Sequence, residues 1–295
     1  FKETTIYALG PQVPKIASFF ILPIITKDLT SYDYGIAALV SSYIGILAAL
    51  KALGLTDVFI NYFYKRPKYY KVIWSHLLGF LSLYSLVFAC IQGLLLFIIL
   101  PLDAESKLIV IALNVIPIVL FENVNVFGSR YLQLHHKPLP VATIAAISGL
   151  VTVFSNLFTI SYLKLGYLGW FISTLIGASI QFIFYSFSLY KNDIVPLFLI
   201  RFKYLKSYLR IGIPFVPNKY GHYLLNSSDR IVMDLMNVST SNLGLYNFGY
   251  NIGNYFQILV NSLGIAIAPL YLKLISSKEN TQYKRAKDIT NYYKH

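Results

Sequence analysis

The chain has 295 residues, of which 56% are apolar and 13% charged, about half the charged share of an ordinary soluble domain. That composition excludes a soluble protein built around one core and points to helices that cross a membrane. The formal charge of +13 does not point to nucleic acid, because the lysines and arginines sit between apolar runs rather than on one basic face.

A hydrocarbon core about 30 Å thick takes about 20 apolar residues to cross as a helix, and eight segments meet that need. The first, Thr4 to Thr26, is interrupted by Pro11, Pro14 and Pro23 and carries Lys15. The second runs from Tyr34 to Phe59. The third, Val72 to Leu100, carries no formal charge. The fourth, Leu108 to Leu134, is the most polar, with Asn114, Pro117, Glu122, Asn123, Asn125 and Arg130. Pro138 to Leu163 and Leu165 to Tyr190 follow, so close together that a tight turn at Lys164 and Gly166 must make them antiparallel neighbours. The seventh extends from Tyr208 to Asn226, and the eighth falls within Leu235 to Leu272, at Leu243 to Leu263. The pattern predicts an all-α, polytopic helix bundle divided into a six-helix lobe (1–190), a basic connection (191–210) and the start of a second lobe (211–295).

Of the 25 lysines and arginines, 18 fall in alternate connections and four in the opposite ones, while Lys15, Lys51 and Lys219 lie within spans. Basic connections stay on the cytoplasmic side, so the N-terminus is expected to be cytoplasmic. The 191–210 connection mixes Arg201, Lys203 and Lys206 with Phe, Leu and Tyr. It reads either as a segment lying in the headgroup plane against anionic lipid or as a solvated linker. No short apolar core with a small-residue cleavage site stands near Phe1, so no removable signal peptide is expected. Cys90, the single cysteine, lies in an apolar run and offers neither a disulfide nor a cysteine-type metal site.

Transporters are often built from weak internal repeats, and one is visible. Pro14 and Lys15 lead to Thr30-Ser31-Tyr32-Asp33-Tyr34-Gly35-Ile36, while Pro217, Asn218 and Lys219 lead to Ser239-Thr240-Ser241-Asn242-Leu243-Gly244-Leu245-Tyr246. Each half reads proline, lysine, polar turn, glycine, helix.

These stretches, with Tyr7-Ala8-Leu9-Gly10 through Leu22-Pro23, Ile211-Gly212-Ile213-Pro214-Phe215-Val216-Pro217, Asn226-Ser227-Ser228-Asp229-Arg230 and Leu243-Gly244-Leu245-Tyr246-Asn247, resemble the oligosaccharide flippases of the polysaccharide exporter branch of the MOP superfamily. The resemblance implies two pseudo-symmetric lobes of roughly twelve to fourteen helices around a central cavity that opens alternately to each side. The chain is then expected to be a fragment holding the first lobe and the beginning of the second.

Within a membrane, a charge at a helix centre costs on the order of 2.5–3.5 kcal/mol and so faces a cavity or a partner. Gln12, Lys15 and Ser18 share one face of the first span. Lys15 reads as a cationic wall for a pyrophosphate or anionic sugar, or as a snorkelling lysine paired with Glu122. In the fourth span Asn114, Ile118, Glu122, Asn125 and Ser129 form a polar stripe. Glu122 there either carries a coupling proton or cation or neutralises Lys15, Lys51 or Arg130. The seventh span repeats the device with Asn218, His222, Asn226 and Asp229, and with Lys219 beside them. His222 is a proton-coupling candidate or a hydrogen-bonded structural histidine. Asn247, Asn251 and Asn254 share a face of the eighth span, where Gly249 and Gly253 form a small-residue pair suited to close packing. Asp229 with Arg230, at the outer end of the seventh span, reads as an ion pair.

The cavity set expected is therefore Gln12, Lys15, Lys51, Asn114, Glu122, Asn123, Asn218, Lys219, His222 and Asn226. The resemblance implies that this set moves an undecaprenyl-pyrophosphate-linked oligosaccharide across a bacterial inner membrane, among membrane lipids and beside a polysaccharide polymerase and chain-length machinery. A cation-coupled small-molecule exporter and a membrane polymerase are the alternatives. No enzyme, cofactor or metal is expected: His135-His136 lacks further ligands at metal spacing, and no phosphate loop or set of nucleophile, base and orienting group can be read.

Overall fold

A computed structural model of the chain describes residues 10–104, 106–198, 202–254, 256 and 260, without the side chains of Ala49, Phe202, Lys203, Tyr204, Lys219 and His222. The described residues are helical, and no strand occurs among them. Helix α1 spans Gln12–Ile25, α2 Ser31–Lys51, α3 Leu55–Lys65 and α4 Tyr70–Ile99. Helix α5, Lys107–Pro117, passes through a π turn at Ile118–Glu122 into α6, Asn123–Leu134. Helix α7, Pro138–Asn156, ends in a second π turn, Leu157–Tyr162, and α8 covers Tyr167–Tyr190. Helix α9, Phe202–Gly212, is followed by a 3-10 turn at Ile213–Phe215 and by α10, Val216–Leu235. A last described helix, α11, occupies 240–254. Among the described residues, four segments are long and apolar enough to cross a membrane: Tyr70–Ile99, Lys107–Leu134, Pro138–Tyr162 and Tyr167–Tyr190. The chain is a membrane helix bundle.

At one end of the bundle a single carboxylate organises two helix starts. The Thr30 hydroxyl accepts from the Asp33 N–H at 3.2 Å, and Asp33 Oδ2 accepts from the Thr30 N–H at 2.7 Å, a capping box that satisfies two otherwise orphaned donors. The other oxygen of Asp33 accepts from the Tyr167 N–H at 2.9 Å and so fixes the start of α8 beside that of α2. Gly166, at φ +54, sits against the same carboxylate, where a Cβ would come within 2.6 Å of Oδ1. Lys164 pairs with Asp28 in the same layer, and that ammonium, with the Ser161 hydroxyl, holds the Asp28 carboxyl below its ordinary value. Helices α7 and α8 are the antiparallel neighbours expected from their short connection, joined by Thr159 Oγ1 donating to the Gly169 carbonyl at 3.1 Å and Gln181 donating to Ser148 at 3.0 Å.

Three expected spans have different bounds. The second is not one helix from Tyr34 to Phe59: α2 stops at Lys51, Leu53 and Gly54 turn into the left-handed region at φ 48 and 69, and α3 continues to Lys65. At the interruption the Leu50 carbonyl accepts from the Leu53 N–H at 3.3 Å and also from the Tyr84 hydroxyl, from the middle of α4, at 3.3 Å. Interruptions at this depth persist only where such partners exist. The seventh span begins at Val216 and runs to Leu235, so Asn226, Asp229 and Arg230 lie within it rather than at its end. The second part of the basic connection before it, from Phe202, is helix α9, which docks on α3 with Tyr208 edge-on to Tyr62 at 5.4 Å. The eighth starts at 240, and its expected portion beyond residue 256 lies outside the described residues apart from residue 260.

The two echoing turns meet. A Cβ on Gly35 would overlap the Thr240 carbonyl, and a Cβ on Gly244 would overlap that of Ser31. In the internal alignment Ser31 corresponds to Thr240 and Gly35 to Gly244, so the two contacts are reciprocal, as a two-fold relation requires. Tyr34 packs edge-on to Phe248 at 5.2 Å, and the equivalent residues Leu39 and Leu243 pack together in turn. The caps correspond as well, since the Ser239 hydroxyl accepts from the Asn242 N–H at 3.4 Å as Thr30 does from Asp33. The close approach thus falls to Gly35 and Gly244. Nothing among the described residues comes within 4 Å of a Cβ on Gly249 or Gly253, which were expected to pack.

From this clasp, α2–α3 and α9–α10 run antiparallel. Gly45 faces Ser227, the Tyr43 hydroxyl donates to Asp234 Oδ2 at 2.6 Å, and Gly54 abuts the Gly212 carbonyl where both helices are interrupted. Gly54→Ala would meet that carbonyl and also place a side chain at positive φ, and it is expected to cost about 1–3 kcal/mol. Gly221→Ala, in α10 with nothing within 4 Å among the described residues, should be neutral or gain up to about 1 kcal/mol from helix propensity. Melting temperatures of the two variants in detergent check the contrast.

Candidate functional site

Pro117 has no N–H to offer the carbonyl one turn before it, and the widened turn that follows, Ile118–Glu122, takes up the distortion. Such π turns re-aim side chains and gather at functional sites. Glu122, the last residue of this one, receives the Lys51 ammonium on both oxygens, at 2.9 and 2.8 Å. Lys51 ends α2, where a cation also complements the helix dipole. Its side chain is 17% exposed and that of Glu122 35%. Both residues lie near the middle of the bundle: Leu50 meets the centre of α4 through Tyr84, and Glu122 is central in Lys107–Leu134. Of the three cations set against Glu122 by sequence, Lys51 is the partner. Arg130 is exposed and donates to Gln133 at 2.9 Å within its own helix.

The asparagines of this span, Asn114 and Asn125 of the predicted stripe and Asn123 beside it, bond to carbonyls. Asn114 Nδ2 donates to the Val110 carbonyl at 2.8 Å in its own helix. Asn123 Nδ2 reaches the Leu81 carbonyl of α4 at 3.1 Å, and Asn125 Nδ2 the Ala178 carbonyl of α8 at 3.1 Å. The last two act as polar ties between helices, which in lipid contribute on the order of 1 kcal/mol each.

Gln12 and Lys15 stand apart from the pair. Helix α1 packs on α7 through Pro14 against Gly149 and Gly10 against Ala142, leaving Lys15 exposed and Gln12 half-buried, its Oε1 enclosed without a hydrogen-bond partner among the described residues. Asn218 and Asn226 are exposed on α10, whereas the side chains of Lys219 and His222 lie outside the described set. The structure therefore brings Lys51 and Glu122 together and leaves Gln12 and Lys15 on α1 and Asn218 and Asn226 on α10.

A second charged cluster was legible only as an adjacent pair. Arg230, 6% exposed, lies over the Tyr250 ring at 3.8 Å and donates to the Asn226 carbonyl at 2.7 Å. Its guanidinium forms the expected ion pair with Asp229 Oδ1 at 3.7 Å, and Asp229 Oδ2 accepts from the Tyr246 hydroxyl. The ring, one turn or more into α11, is a cation–π partner for a guanidinium removed from water. His135 donates from Nδ1 to the Tyr131 carbonyl at 2.9 Å and meets the Tyr70 hydroxyl at 3.2 Å, a structural placement. No group of three metal-binding side chains occurs among the described residues.

Replacing Lys51 by Met leaves a carboxylate at mid-depth without its cation, and because Glu122 is about a third exposed the expected loss is about 1–3 kcal/mol. Adding Glu122→Gln should recover most of it. A double-mutant cycle on detergent melting temperatures checks this, and additive losses would show that the pair does not couple.

No curated protein and no solved structure matches the chain. A family model described as polysaccharide biosynthesis protein matches residues 1–274. That family includes the O-antigen flippases of the MOP superfamily, whose members are generally transporters rather than enzymes. With its membrane bundle, its reciprocal clasp and a match over nearly its whole length, the chain belongs to the polysaccharide biosynthesis protein family.

Proposed function

We propose that this chain forms part of a flippase that carries an undecaprenyl-pyrophosphate-linked oligosaccharide across a bacterial inner membrane by alternating access, with its N-terminus in the cytoplasm. The observation that carries the reading is a lysine held at mid-depth, at the interruption of α2, beside the line where α2–α3 meets α9–α10. Irregular backbone and an intramembrane cation at one level mark a solute path rather than a lipid-facing wall. An ammonium suits a phosphate as a point-charge partner. The reading assigns Lys15, on α1, and Lys219 to attraction of the anionic portion, and Gln12, Asn114 and Asn218 to sugar hydroxyls. The reciprocal packing about the clasp supports two related lobes, the usual basis for access that alternates between sides. The polymerase and chain-length machinery would then act on the delivered unit.

In cells lacking the full-length gene, lipid-linked repeat units should accumulate on the cytoplasmic leaflet, protected from a membrane-impermeant sugar-modifying reagent until lysis. Units already exposed before lysis would place the block at polymerisation, and no accumulation would favour a small-molecule exporter. In the same assay Lys15→Ala combined with Lys219→Ala should reduce export at least about tenfold, the loss of roughly 1.4 kcal/mol of binding, at unchanged protein level. Unchanged export removes both lysines from the path.

A further inference from the structure

We propose that Glu122 is a resident stand-in for the substrate's phosphate: it occupies Lys51 in the empty protein and gives it up when a phosphate-bearing head group arrives. The inference rests on the flippase reading and assigns the pair a role within it. Three observations carry it. The two hydrogen bonds from Lys51 to the Glu122 carboxylate at 2.9 and 2.8 Å are the contacts a phosphate oxygen pair would take from the same ammonium. The pair is not sealed, since Glu122 keeps 35% of its side-chain surface accessible while Lys51 keeps 17%, so the carboxylate is the member able to swing away. Both partners adjoin irregular backbone, Glu122 closing a π turn and Lys51 ending α2 three residues before the left-handed Gly54, where small shifts are easier than within a regular helix.

A lysine left alone at this depth would carry the full cost of an unpaired charge, so a carboxylate partner keeps the empty protein stable. It also sets a threshold. A pyrophosphate, with at least two negative charges, outcompetes a single carboxylate for one ammonium, whereas a neutral sugar or a singly charged uronate does not. Glu122 thereby makes Lys51 selective for the phosphate end of a glycolipid and leaves recognition of the sugar to other residues.

The apparent affinity for an entering anion is lowered by the fraction of time that the pair stays closed. With the pair closed about 90% of the time, releasing it tightens binding about tenfold. The test uses the full chain in nanodiscs of neutral lipid, with inorganic pyrophosphate as the probe and calorimetry as the readout. Glu122→Gln should bind pyrophosphate about tenfold more tightly than the wild type, Lys51→Met should lose binding, and the double variant should melt like the wild type yet fail to bind.

Equal affinity in the wild type and Glu122→Gln, with loss in Lys51→Met, overturns the stand-in role and leaves the flippase reading intact. Wild-type affinity in the double variant removes Lys51 from the site. Absence of pyrophosphate binding in both the wild type and Glu122→Gln overturns the phosphate recognition on which the reading and this inference both depend. If the gain in Glu122→Gln disappears in discs of anionic phospholipid, the occupant of Lys51 is the membrane's own phosphate, and the substrate assignment fails.

Discussion

The arrangement depends on one close approach, in which the glycines of two echoing turns, Gly35 and Gly244, allow backbone to meet backbone at one end of the bundle. Neither contact tolerates a Cβ, and each repeats the other about a local two-fold. Once that clasp is made, the courses of α2 and α10 are fixed. They leave the clasp side by side, bring Gly45 to Ser227 and Tyr43 to Asp234, and meet again at Gly54 and Gly212. The second meeting is where both helices are interrupted, and it is three residues from Lys51. The position of the charged pair in the bundle is thus a consequence of glycine placement as much as of charge.

In lipid there is no hydrophobic force to press one helix on another, so association relies on close packing and on polar ties. Several neighbour pairs among the described residues show one or the other. Gly177 admits Thr152 between α7 and α8, Gly128 admits Tyr185 between α6 and α8, and Gly79 admits the backbone of Leu197 beside α4. Amides of Asn123, Asn125 and Gln181 tie across helices to carbonyl or hydroxyl oxygens. Near the basic end the aromatic residues Phe59, Trp74, Phe127 and Tyr131 pack in one buried cluster, with Phe59 stacked on Trp74 at a centroid separation of 3.4 Å. Lys51 with Glu122 is an ionic member of this set. It differs from the amide ties in carrying charge on both partners, with 35% of the Glu122 side chain accessible.

Much of this was legible in the sequence because the signals are local. Length and apolarity mark the spans from Tyr70 to Tyr190, and Lys164 with Gly166 marks the turn between α7 and α8, whereas the start of α2 lies at Ser31 rather than Tyr34 because Thr30 and Asp33 form a capping box that apolarity does not register. The interruption at Gly54 was missed although its elements are present: a glycine for the left-handed residue, then Thr56 and Asp57 in the first turn of the next helix. The apolar run across it hid them, since hydropathy is blind to backbone direction. Asn226-Ser-Ser-Asp looked like a helix end for the converse reason. Its polar groups are accommodated inside α10 by elements distant in sequence: Ser227 packs against Gly45, the Tyr246 hydroxyl donates to Asp229 and the Tyr250 ring lies against Arg230. Periodicity placed Glu122 on a polar face but could not choose among three cations, because that choice depends on which helices are neighbours.

The same distinction explains why Lys51 and Glu122 are more informative than the other polar residues singled out. Amides on an exposed face, such as Asn218, meet whatever stands opposite and need no special support from the fold. A lysine at mid-depth needs a break in α2 to end the helix beside it, a proline and a π turn in the facing span to aim a carboxylate at it, and a glycine pair to keep a second helix close. A purely structural tie between α2 and the Lys107–Leu134 span could be made by an asparagine and a carbonyl, as Asn123 does with Leu81, without burying charge. On the function proposed above, keeping two charges where amides would serve is explained by a partner that itself brings charge to this level of the membrane, as the phosphates of a lipid carrier would.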